Sequence, residues 1–400
     1  MDTAYFVNDT GNAAELLIKG GLVAVPTETV YGLACNGLDP EAVKKVYEVK
    51  GRPTVKPLSL MVESPADMEL YCENVCSQAK ALAERFWPGP LTIVLNSKDY
   101  IPDIVRAGGD TVGLRCPDSP ITLKLLNEAR IPFAAPSANP SGMESPKTAK
   151  KVMEYFDGQI EAVIDGGECC LGKESTIIDM SATPYRILRQ GALSEPDIKD
   201  VLVNNLKIIG ITGGSGCGKT SALAVLKDMD ALILDCDEIY HELLLSDEEM
   251  LQTIRHRFPS AFEGEVFNRK KLGNIVFNDR KALLELNEIT HKYVRLEIIR
   301  RLREYAFNGG KTAAIDAIEL ISSKLGEICD IRIAVSADRN LRIERIMARD
   351  GISREYAESR IDAQHSDDYF KKGCDAVIYN NGSVEEFKNK FSDIIKEVTG

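Results

Sequence analysis

A phosphate-binding loop at residues 213–220 limits the folds open to this chain more than any other feature. Its sequence, GGSGCGKT, satisfies the pattern G-x-x-x-x-G-K-[ST] and lies between the apolar run LKIIGIT and the helical run SALAVLKDM. In a strand, loop and helix arranged this way, backbone N–H groups and the positive end of the helix meet phosphate oxygens. The loop therefore predicts nucleotide binding. A glycine-rich turn used only for packing is the alternative, and the flanking runs disfavour it.

The loop residues and two nearby carboxylates have expected roles. The residues expected to contact ATP are Gly213, Gly214, Ser215, Gly216, Cys217, Gly218, Lys219 and Thr220. We expect Lys219 to reach the outer phosphates and the Thr220 hydroxyl to hold Mg²⁺. Asp235 and Asp237 follow the next apolar run, ALILD, where a carboxylate can orient or deprotonate a hydroxyl acceptor or bind the metal through water. Capping of the following helix is the alternative for both.

The spacing of apolar runs predicts two α/β domains. In the second half, LKIIGIT, ALILD, TAAID, IRIAVSA and AVIYN alternate with amphipathic stretches, which predicts a parallel sheet with helices on both faces. In the first half, strands and helices mix without a strict rhythm, which favours a mixed, twisted sheet. One core seldom exceeds about 250 to 300 residues, and this chain has 400, with a change of composition at 194–206. We therefore predict domains at 1–203 and 206–400.

Charge and residue usage exclude several functions. The net charge is −12, divided into −8 for the first 205 residues and −4 for the remainder, which argues against general nucleic-acid binding. All four histidines lie in the second half, so the first half has no histidine base or histidine metal ligand. The ten cysteines are scattered, which is typical of reduced thiols. With no basic leader and no apolar run of 18 residues, we expect a cytoplasmic protein without a membrane span.

Beyond the phosphate loop, several stretches resemble the dephospho-CoA kinase family in order and spacing, from residue 206 to about 396. They are DCDEIYHELL, RKKLGNIVFNDRKALLELNEITH, RIERIMARDG, RIDAQ and DAVIYNNGS. The resemblance implies a P-loop kinase fold with a helical lid, and transfer of the ATP γ-phosphate to the 3′-hydroxyl of dephospho-CoA. It also implies that Asp237 is the base. Another small P-loop kinase, acting on a nucleoside or a sugar, is the alternative.

The same resemblance assigns further residues. It implies that Arg269 and His291 lie on the acceptor side with Asp235, and that Arg345 and Arg349 belong to the lid over ATP. Two arginines one helical turn apart share a face, so both can point at the same phosphates; a solvated helix face is the alternative. The family usually has a Pro-Leu-Leu-Phe-Glu stretch after its third strand, where this chain has Ile318 and Ser322 at the first and last positions.

In the first half, hydroxyl and cationic side chains gather in loop segments. They are Thr29 and Tyr31 in PTETVYGL, Lys50 and Arg52 in KGRPTVKPLSL, Arg115 in VGLRCP, Ser137 and Asn139 in APSANPSG, and Ser175, Thr176 and Arg189 in KESTIID and ILRQG. Cations and hydroxyls at strand ends of an acidic domain are what a nucleoside triphosphate requires. Taken singly, each segment also fits ordinary turn and cap residues.

Together with FWPGPLT, these segments resemble the YrdC-like threonylcarbamoyl-AMP synthase family over nearly all of residues 11–193. The resemblance implies that L-threonine, bicarbonate and ATP with Mg²⁺ give threonylcarbamoyl-AMP and pyrophosphate. The product then passes to the tRNA threonylcarbamoyl transfer machinery. The chain has Met61 where some longer relatives have His, and Gln190 where Pro is common. A module that binds double-stranded RNA is the alternative, which the charge of −8 disfavours.

The synthase resemblance also divides the site residues by role. Lys50, Arg52 and Mg²⁺ would contact the phosphates. Ser137, Asn139, Ser175 and Arg189 would contact the nucleotide and a carboxylate, with Thr176 beside them. Thr29, Tyr31 and Arg115 would shape the threonine pocket.

Overall fold

The computed structural model describes residues 2–7, 9–277 and 279–399 and divides the chain into two compact units. The first runs to Asn205 and includes Phe307–Gly309, and the second contains Leu206–Ala306 and the residues from Gly310 onward. All ten cysteines are free thiols. Within the described ranges, no helix combines the length and the apolar content needed to cross a membrane.

The described residues of the first unit form ten strands and eight α-helices. The strands are β1 (Ala4–Val7), β2 (Val23–Val25), β3 (Gly32–Asn36), β4 (Ser59–Met61), β5 (Leu91–Asn96), β6 (Thr111–Arg115), β7 (Phe133–Ala134), β8 (Ala162–Asp165), β9 (Thr176–Asp179) and β10 (Arg186–Arg189). The helices are α1 (Thr10–Ile18), α2 (Pro40–Lys50), α3 (Met68–Tyr71), α4 (Ser77–Phe86), α5 (Asp103–Arg106), α6 (Pro120–Ala129), α7 (Ala149–Phe156) and α8 (Glu195–Asn204).

These ten strands form one sheet in the order β1-β8-β2-β3-β7-β4-β6-β5-β9-β10. The sheet contains both parallel pairs, such as β4 with β6, and antiparallel pairs, such as β5 with β6, which confirms the predicted mixed sheet. Helices α1 and α6 cover part of it through an apolar cluster that includes Leu17, Leu125 and Phe133. The order brings the ends of β3, β7, β6 and β9, which lie far apart in sequence, to one region.

The end of α2 shows how local sequence places two site residues. Asp39 caps the helix by accepting a hydrogen bond from the Glu41 N–H, and a proline occupies the first turn, where its missing N–H costs nothing. Gly51 ends the helix in the left-handed region at φ +57°, a conformation that favours glycine. Lys50 is therefore the last helical residue, and Arg52 begins the loop that follows.

The described residues of the second unit form seven strands and nine α-helices. The strands are β11 (Lys207–Thr212), β12 (Leu232–Asp235), β13 (Phe262–Glu263), β14 (Val266–Phe267), β15 (Thr312–Asp316), β16 (Ile331–Ser336) and β17 (Ala376–Tyr379). The helices are α9 (Lys219–Asp228), α10 (Cys236–Ser246), α11 (Glu248–Arg257), α12 (Arg269–Phe277), α13 (Arg280–Phe307), α14 (Arg339–Asp350), α15 (Arg354–Asp362), α16 (Asp367–Gly373) and α17 (Val384–Thr399).

Five of these strands form a parallel sheet in the order β12-β15-β11-β16-β17, as predicted. Strand β11 is central, and the phosphate loop leaves its carboxyl end. On the neighbouring strands, Asp235 pairs in register with Asp316, and Ile211 of β11 pairs with Asp316 as well. Because parallel strands end at the same edge, both carboxylates lie beside the loop, at the position where ligands bind in open parallel sheets.

Candidate active sites

A cavity of 190 Å³ in the first unit brings together seven of the ten residues expected there. Thr29, Tyr31, Arg52, Arg115, Ser137, Ser175 and Arg189 line it. Lys50, Asn139 and Thr176 are not among its lining residues. The cavity therefore places three guanidinium groups around one small space, an arrangement suited to an anionic ligand with several charges.

Lys50 lies behind the cavity wall with its charge directed at backbone oxygens. Its side chain is buried, and its Nζ donates hydrogen bonds to the carbonyl oxygens of Ser137 and Asn139. Burial, and secondarily the positive charge of Arg52, lower the pKa of Lys50 to about 8. An ammonium group has three donors, so Lys50 holds the Ser137 loop with two, and its third donor has no protein acceptor in the described part of the chain.

Two other expected residues stabilise loops. The Thr176 hydroxyl donates to the carbonyl of Leu193 at 2.6 Å and accepts from the N–H of Gly191 at 3.0 Å, so it joins β9 to the segment after β10. The Asn139 amide donates to the carbonyls of Pro140 and Met143 at 3.0 and 2.7 Å. Its Oδ1 is buried without a protein hydrogen-bond partner among the described residues.

Arg189 is fixed by two neighbours in the segment before β9. Its Nη1 donates to Glu174 Oε2 at 2.6 Å, and its Nη2 donates to Ser175 Oγ at 3.0 Å. Burial lowers the pKa of Arg189, and the carboxylate of Glu174 opposes that shift. Sequence reasoning identified Arg189 and Ser175 but missed Glu174, although it directly precedes Ser175 in the KESTIID segment.

Arg115 and Glu28 form a buried ion pair beside the cavity. Arg115 Nη2 lies 2.7 Å from Glu28 Oε1 and 2.8 Å from Thr29 Oγ1. Sequence reasoning missed Glu28 although it stands in the selected PTETVYGL segment, because an acidic residue in a loop gives no sign of burial. Tyr31 lies nearby with its hydroxyl donating to the carbonyl of Gly167 at 2.8 Å, and burial raises the pKa of Tyr31 to about 12.

In the second unit, the phosphate loop curves tightly around the start of α9. Gly218 lies at φ +95°, and a Cβ added there would approach Asn380 Nδ2 to 2.0 Å. A Cβ on Gly213 would approach the carbonyl oxygen of Val335 to 2.2 Å. Only glycine fits these two positions, and the close packing keeps the first N–H groups of α9 directed into the loop, where a phosphate can accept from them.

Lys219 is held between the loop and the sheet. Its Nζ donates to the carbonyl of Gly213 at 3.3 Å and lies 3.7 Å from Asp316 Oδ1. Burial raises the pKa of Asp316 to about 6; the charge of Lys219 opposes the rise, and Asp235 and Asp237 add to it. Sequence reasoning missed Asp316 because the strand it ends, TAAID, lies far along the chain from the loop.

The two carboxylates after β12 have different surroundings. Asp235 caps α10, since its Oδ1 accepts from the N–H groups of Asp237 and Glu238 at 2.8 and 3.1 Å. Asp237 is exposed and lines a cavity of 320 Å³ together with His291 and Glu319. The capping alternative therefore describes Asp235, and Asp237 has its side chain available to an acceptor.

His291 and Arg269 differ in their relation to this cavity. His291 lines it, and burial lowers the pKa of this imidazole. Arg269 is exposed at the first turn of α12 and does not line the cavity, although its charge opposes the burial that raises the pKa of Tyr240, a lining residue.

The arginines that contact the phosphate loop come from α14, and one of them differs from the expected pair. Arg345 Nη1 donates to the carbonyl of Gly216 at 3.4 Å, and Arg342 Nε donates to that of Ser215 at 3.0 Å. Arg349 instead pairs with Asp350 at 2.7 Å near the exposed end of the helix. Arg342 and Arg345, three residues apart, therefore contact the loop backbone, and the expected contact of Arg345 and Arg349 with ATP stays a prediction.

The donors near the loop fit Mg²⁺ bound mainly through nucleotide phosphates. Thr220 is exposed at the start of α9, next to Lys219. Among the residues described, no group of three or more His, Cys, Asp or Glu side chains could hold a metal by itself. A site that offers one protein hydroxyl and few other protein ligands suits Mg²⁺, because this ion keeps water and phosphate oxygens as most of its ligands.

Comparison with known proteins gives one match for each unit. The sequence model of the Sua5–YciO–YrdC family, described as Telomere recombination, matches residues 15–191. The CoaE model, described as Dephospho-CoA kinase, matches residues 207–386. The two matches do not overlap; the first lies within the first unit, and the second lies within the second unit apart from Phe307–Gly309.

Individual relatives agree with these matches. A threonylcarbamoyl-AMP synthase of Pyrococcus abyssi is 47% identical over 190 residues, covering 48% of this chain and 56% of that protein. A putative threonylcarbamoyl-AMP synthase of Methanocaldococcus jannaschii is 39% identical, covering 44% of this chain and 83% of that protein. A dephospho-CoA kinase of Lactobacillus johnsonii is 32% identical, covering 48% of this chain and 97% of that protein. The chain thus spans little more than half the length of the Pyrococcus abyssi relative.

Proposed function

Because the chain belongs to the YrdC-like threonylcarbamoyl-AMP synthase family through its first unit and to the dephospho-CoA kinase family through its second, we propose that it is a bifunctional enzyme. The first unit joins L-threonine, bicarbonate and ATP into threonylcarbamoyl-AMP and pyrophosphate. The second transfers the γ-phosphate of ATP to the 3′-hydroxyl of dephospho-CoA. The observation that carries this proposal is that each unit has its own cation-lined polar site, built from residues of that unit alone.

The chemistry of the first unit suits a site without histidine. The threonine amine attacks CO₂ formed from bicarbonate, giving a carbamate and releasing a proton. A carbamate oxygen then forms a bond to the α-phosphorus of ATP while the bond to pyrophosphate breaks. No covalent enzyme intermediate is needed, so the protein supplies position and charge neutralisation. Arg52 and the remaining Lys50 donor contact the phosphates, and Mg²⁺ adds positive charge there when bound.

The remaining residues of the first site hold the other parts of the substrates. Asn139 Oδ1 accepts a hydrogen bond from the nucleotide, and the Ser137 hydroxyl donates one to it. Arg189 and Ser175 bind a carboxylate or phosphate oxygen next to them. Thr29, Tyr31 and Arg115 enclose the threonine, and the product passes to the proteins that modify tRNA.

In the second unit, Lys219 and the loop N–H groups hold the outer phosphates while Asp237 faces the acceptor cavity. Asp237 accepts the proton of the 3′-hydroxyl while the oxygen of that hydroxyl bonds to the γ-phosphorus. The bond between the γ-phosphorus and ADP breaks in the same step. Thr220 would hold Mg²⁺, which neutralises charge on the phosphates when bound. His291, with its lowered pKa, is neutral at pH 7 and contributes a hydrogen bond rather than a charge. Reduced thiols and ATP-dependent reactions suit the cytoplasm, which we propose as the location.

Two assays on one preparation test this proposal. Pyrophosphate release from ATP should require both L-threonine and bicarbonate, and ADP formation should require dephospho-CoA. Adenosine or a simple sugar in place of dephospho-CoA should give no ADP, which separates this activity from other small-molecule kinases. Salt-sensitive binding of double-stranded RNA without threonine-dependent pyrophosphate release would instead assign the first unit to RNA binding.

Asp316 gives a prediction in which stability and activity change in opposite directions. Its pKa is raised on folding, so the folded unit gains stability below about pH 4 and loses it as pH rises through about 6. Each pKa unit corresponds to about 1.4 kcal/mol. Asp316→Asn should therefore raise the unfolding midpoint of the second unit at pH 7 by about 3 °C or more. It should also lower the ADP-forming rate about tenfold, because the Lys219 ammonium loses its anionic neighbour.

Calorimetry across pH 5 to 8 checks the sign of this effect. The increase in unfolding midpoint caused by Asp316→Asn should become smaller toward pH 5, where the wild-type Asp316 carboxyl is mostly protonated. Asp375→Asn is the matched control, since Arg332 holds the pKa of Asp375 low and this substitution should lower the midpoint. A lower midpoint for Asp316→Asn at pH 7 would contradict the argument.

A further inference from the structure

Glu28 is a buried carboxylate with no role in the reaction as derived so far. We propose that it is a positioning residue for the first unit, which fixes Arg115 and, through Arg115, the direction of the Thr29 hydroxyl. The outcome is that the amino-acid substrate binds in one orientation. This inference rests on the proposed synthase function and deepens it by naming the residue that holds Arg115 and Thr29 in place.

The Glu28 carboxylate is buried and is engaged by protein groups through both of its oxygens. The side chains of Glu28 and Arg115 are 5% and 9% exposed. Glu28 Oε1 accepts from Arg115 Nη2 at 2.7 Å, and Oε2 accepts from the N–H of Asp118 at 3.1 Å. Glu28 does not line the cavity. Both of its oxygens are therefore used to hold protein groups, and it acts on a ligand only through them.

Among the described residues, protein acceptors occupy the Nε and Nη2 donors of Arg115 but not its Nη1 donors. Its Nε donates to the carbonyl of Gly89 at 3.3 Å, and its Nη2 is shared between Glu28 and Thr29 Oγ1. Its Nη1 donates to no acceptor within the described ranges, and Arg115 lines the cavity. Nη1 is thus the donor left for a ligand, and a guanidinium donor is well suited to a carboxylate.

The hydroxyl protons of Thr27 and Thr29 are both used in hydrogen bonds within the protein. The Thr27 hydroxyl donates to the carbonyl of Val30 at 2.7 Å, which uses its only proton. Thr27 Oγ1 and Thr29 Oγ1 lie 2.9 Å apart, so Thr29 must be the donor in that pair. Thr29 Oγ1 also accepts from Arg115. The Thr29 hydroxyl proton is therefore used in the hydrogen bond to Thr27. The cavity meets only a lone pair of Thr29 Oγ1, which can accept a hydrogen bond from an N–H group of a ligand.

The cavity consequently presents a donor at Arg115 and an acceptor at Thr29, close to one another. This is the complement of the carboxylate and amino groups that share one carbon in an α-amino acid. Without the Glu28 carboxylate, Arg115 is free to turn toward other acceptors. The Arg115 guanidinium and the Thr29 hydroxyl would then no longer be held in a fixed orientation. The main chain at this point has separate support, because the carbonyl of Glu28 accepts from the N–H of Leu171 at 2.8 Å.

The test compares Glu28→Gln with the wild-type protein in pyrophosphate release. Glutamine has a similar shape, but its NH₂ would face either the Asp118 N–H or the Arg115 guanidinium, donor against donor. We expect the KM for L-threonine to rise at least tenfold while the KM for ATP changes less than threefold. Thr29→Val, which removes the acceptor without touching Glu28, should shift the same constant in the same direction.

Asp179→Asn is the matched control. Asp179 pairs with Arg186 at 2.9 Å in the same unit and does not line the cavity, so its loss should leave both KM values unchanged. An unchanged threonine KM in Glu28→Gln, or an equal rise for ATP and threonine, would overturn the inference. If wild-type pyrophosphate release does not depend on threonine, the proposed function fails instead, and threonine binding measured by calorimetry in wild-type and Glu28→Gln protein then decides the inference alone.

Discussion

Lys219→Ala is expected to lower dephospho-CoA-dependent ADP formation about a thousandfold and to leave threonine-dependent pyrophosphate release unchanged. Lys219 is the one side-chain cation at the start of α9, and its Nζ is directed along the phosphate loop by the carbonyl of Gly213 at 3.3 Å. Positive charge that meets developing negative charge in a site shielded from water contributes several kcal/mol to catalysis, about 10²–10³ or more in rate. Charge on the transferred phosphate is what this group neutralises.

The substitution has a second effect on Asp316. Lys219 is the cation that opposes the burial-raised pKa of that carboxyl, so its removal should raise the pKa of Asp316 further, toward neutrality. A higher pKa favours the protonated form of Asp316, which reduces the buried charge that Lys219 no longer compensates. Because a carboxyl pKa that is raised further costs more folding stability at pH 7, the unfolding midpoint of Lys219→Ala should fall, and both rates are measured at a temperature where the variant stays folded.

Lys227→Ala is the matched control for this prediction. Lys227 is an exposed lysine in the last turn of the same helix, and its replacement removes the same charge from the same unit. Both rates are measured in each variant, at saturating ATP. Retention of more than a tenth of the kinase rate in Lys219→Ala would contradict the assigned role, and a parallel fall in pyrophosphate release would show that the two units do not act independently.

The parts of the fold and sites that sequence predicted are those encoded by neighbouring residues. The strand, loop and helix around Lys219 occupy a continuous segment, and the glycines there have a local steric cause. The end of α2 at Gly51 is equally local. Both could be predicted because the residues that determine them lie within a few positions of one another.

What sequence missed depends on packing between distant segments. Glu28 and Arg115 meet because β6 lies three strands from β3 in the sheet, and no spacing rule gives that order. The identity of the arginines that contact the loop backbone, Arg342 and Arg345, has a similar cause. Spacing shows which residues of α14 share a face, but the side of the helix that meets the phosphate loop is set by how it packs on the sheet.

Lys50 illustrates how the structure alters an assignment while keeping the residue. Sequence placed its ammonium on the phosphates, and the structure directs two of its three donors to the carbonyls of Ser137 and Asn139. The Ser141 N–H in turn donates to the Lys50 carbonyl at 2.8 Å. Lys50 therefore holds a loop of the nucleotide site, and its third donor is the one that we propose for the phosphates.

Lys50→Ala is expected to lower threonine-dependent pyrophosphate release at least a hundredfold and to leave the kinase rate unchanged. The change removes a positive charge from a phosphate site and releases the Ser137 loop, and the two losses act on the same step. The KM for ATP should rise with the fall in kcat, because loop position and phosphate contact both concern the nucleotide. The KM for L-threonine should change much less, since Arg115 and Thr29 contact neither Lys50 nor its carbonyl partners.

Lys44→Ala provides the comparison, as an exposed lysine on the same helix α2. It should keep the wild-type rate and both KM values. A Lys50→Ala protein with a normal ATP KM and only a lower unfolding midpoint would show that the lysine stabilises the unit without meeting the nucleotide. Since burial lowers the Lys50 pKa only to about 8, the ammonium is charged at pH 7, and the assays are run there so that the charge itself is what the substitution removes.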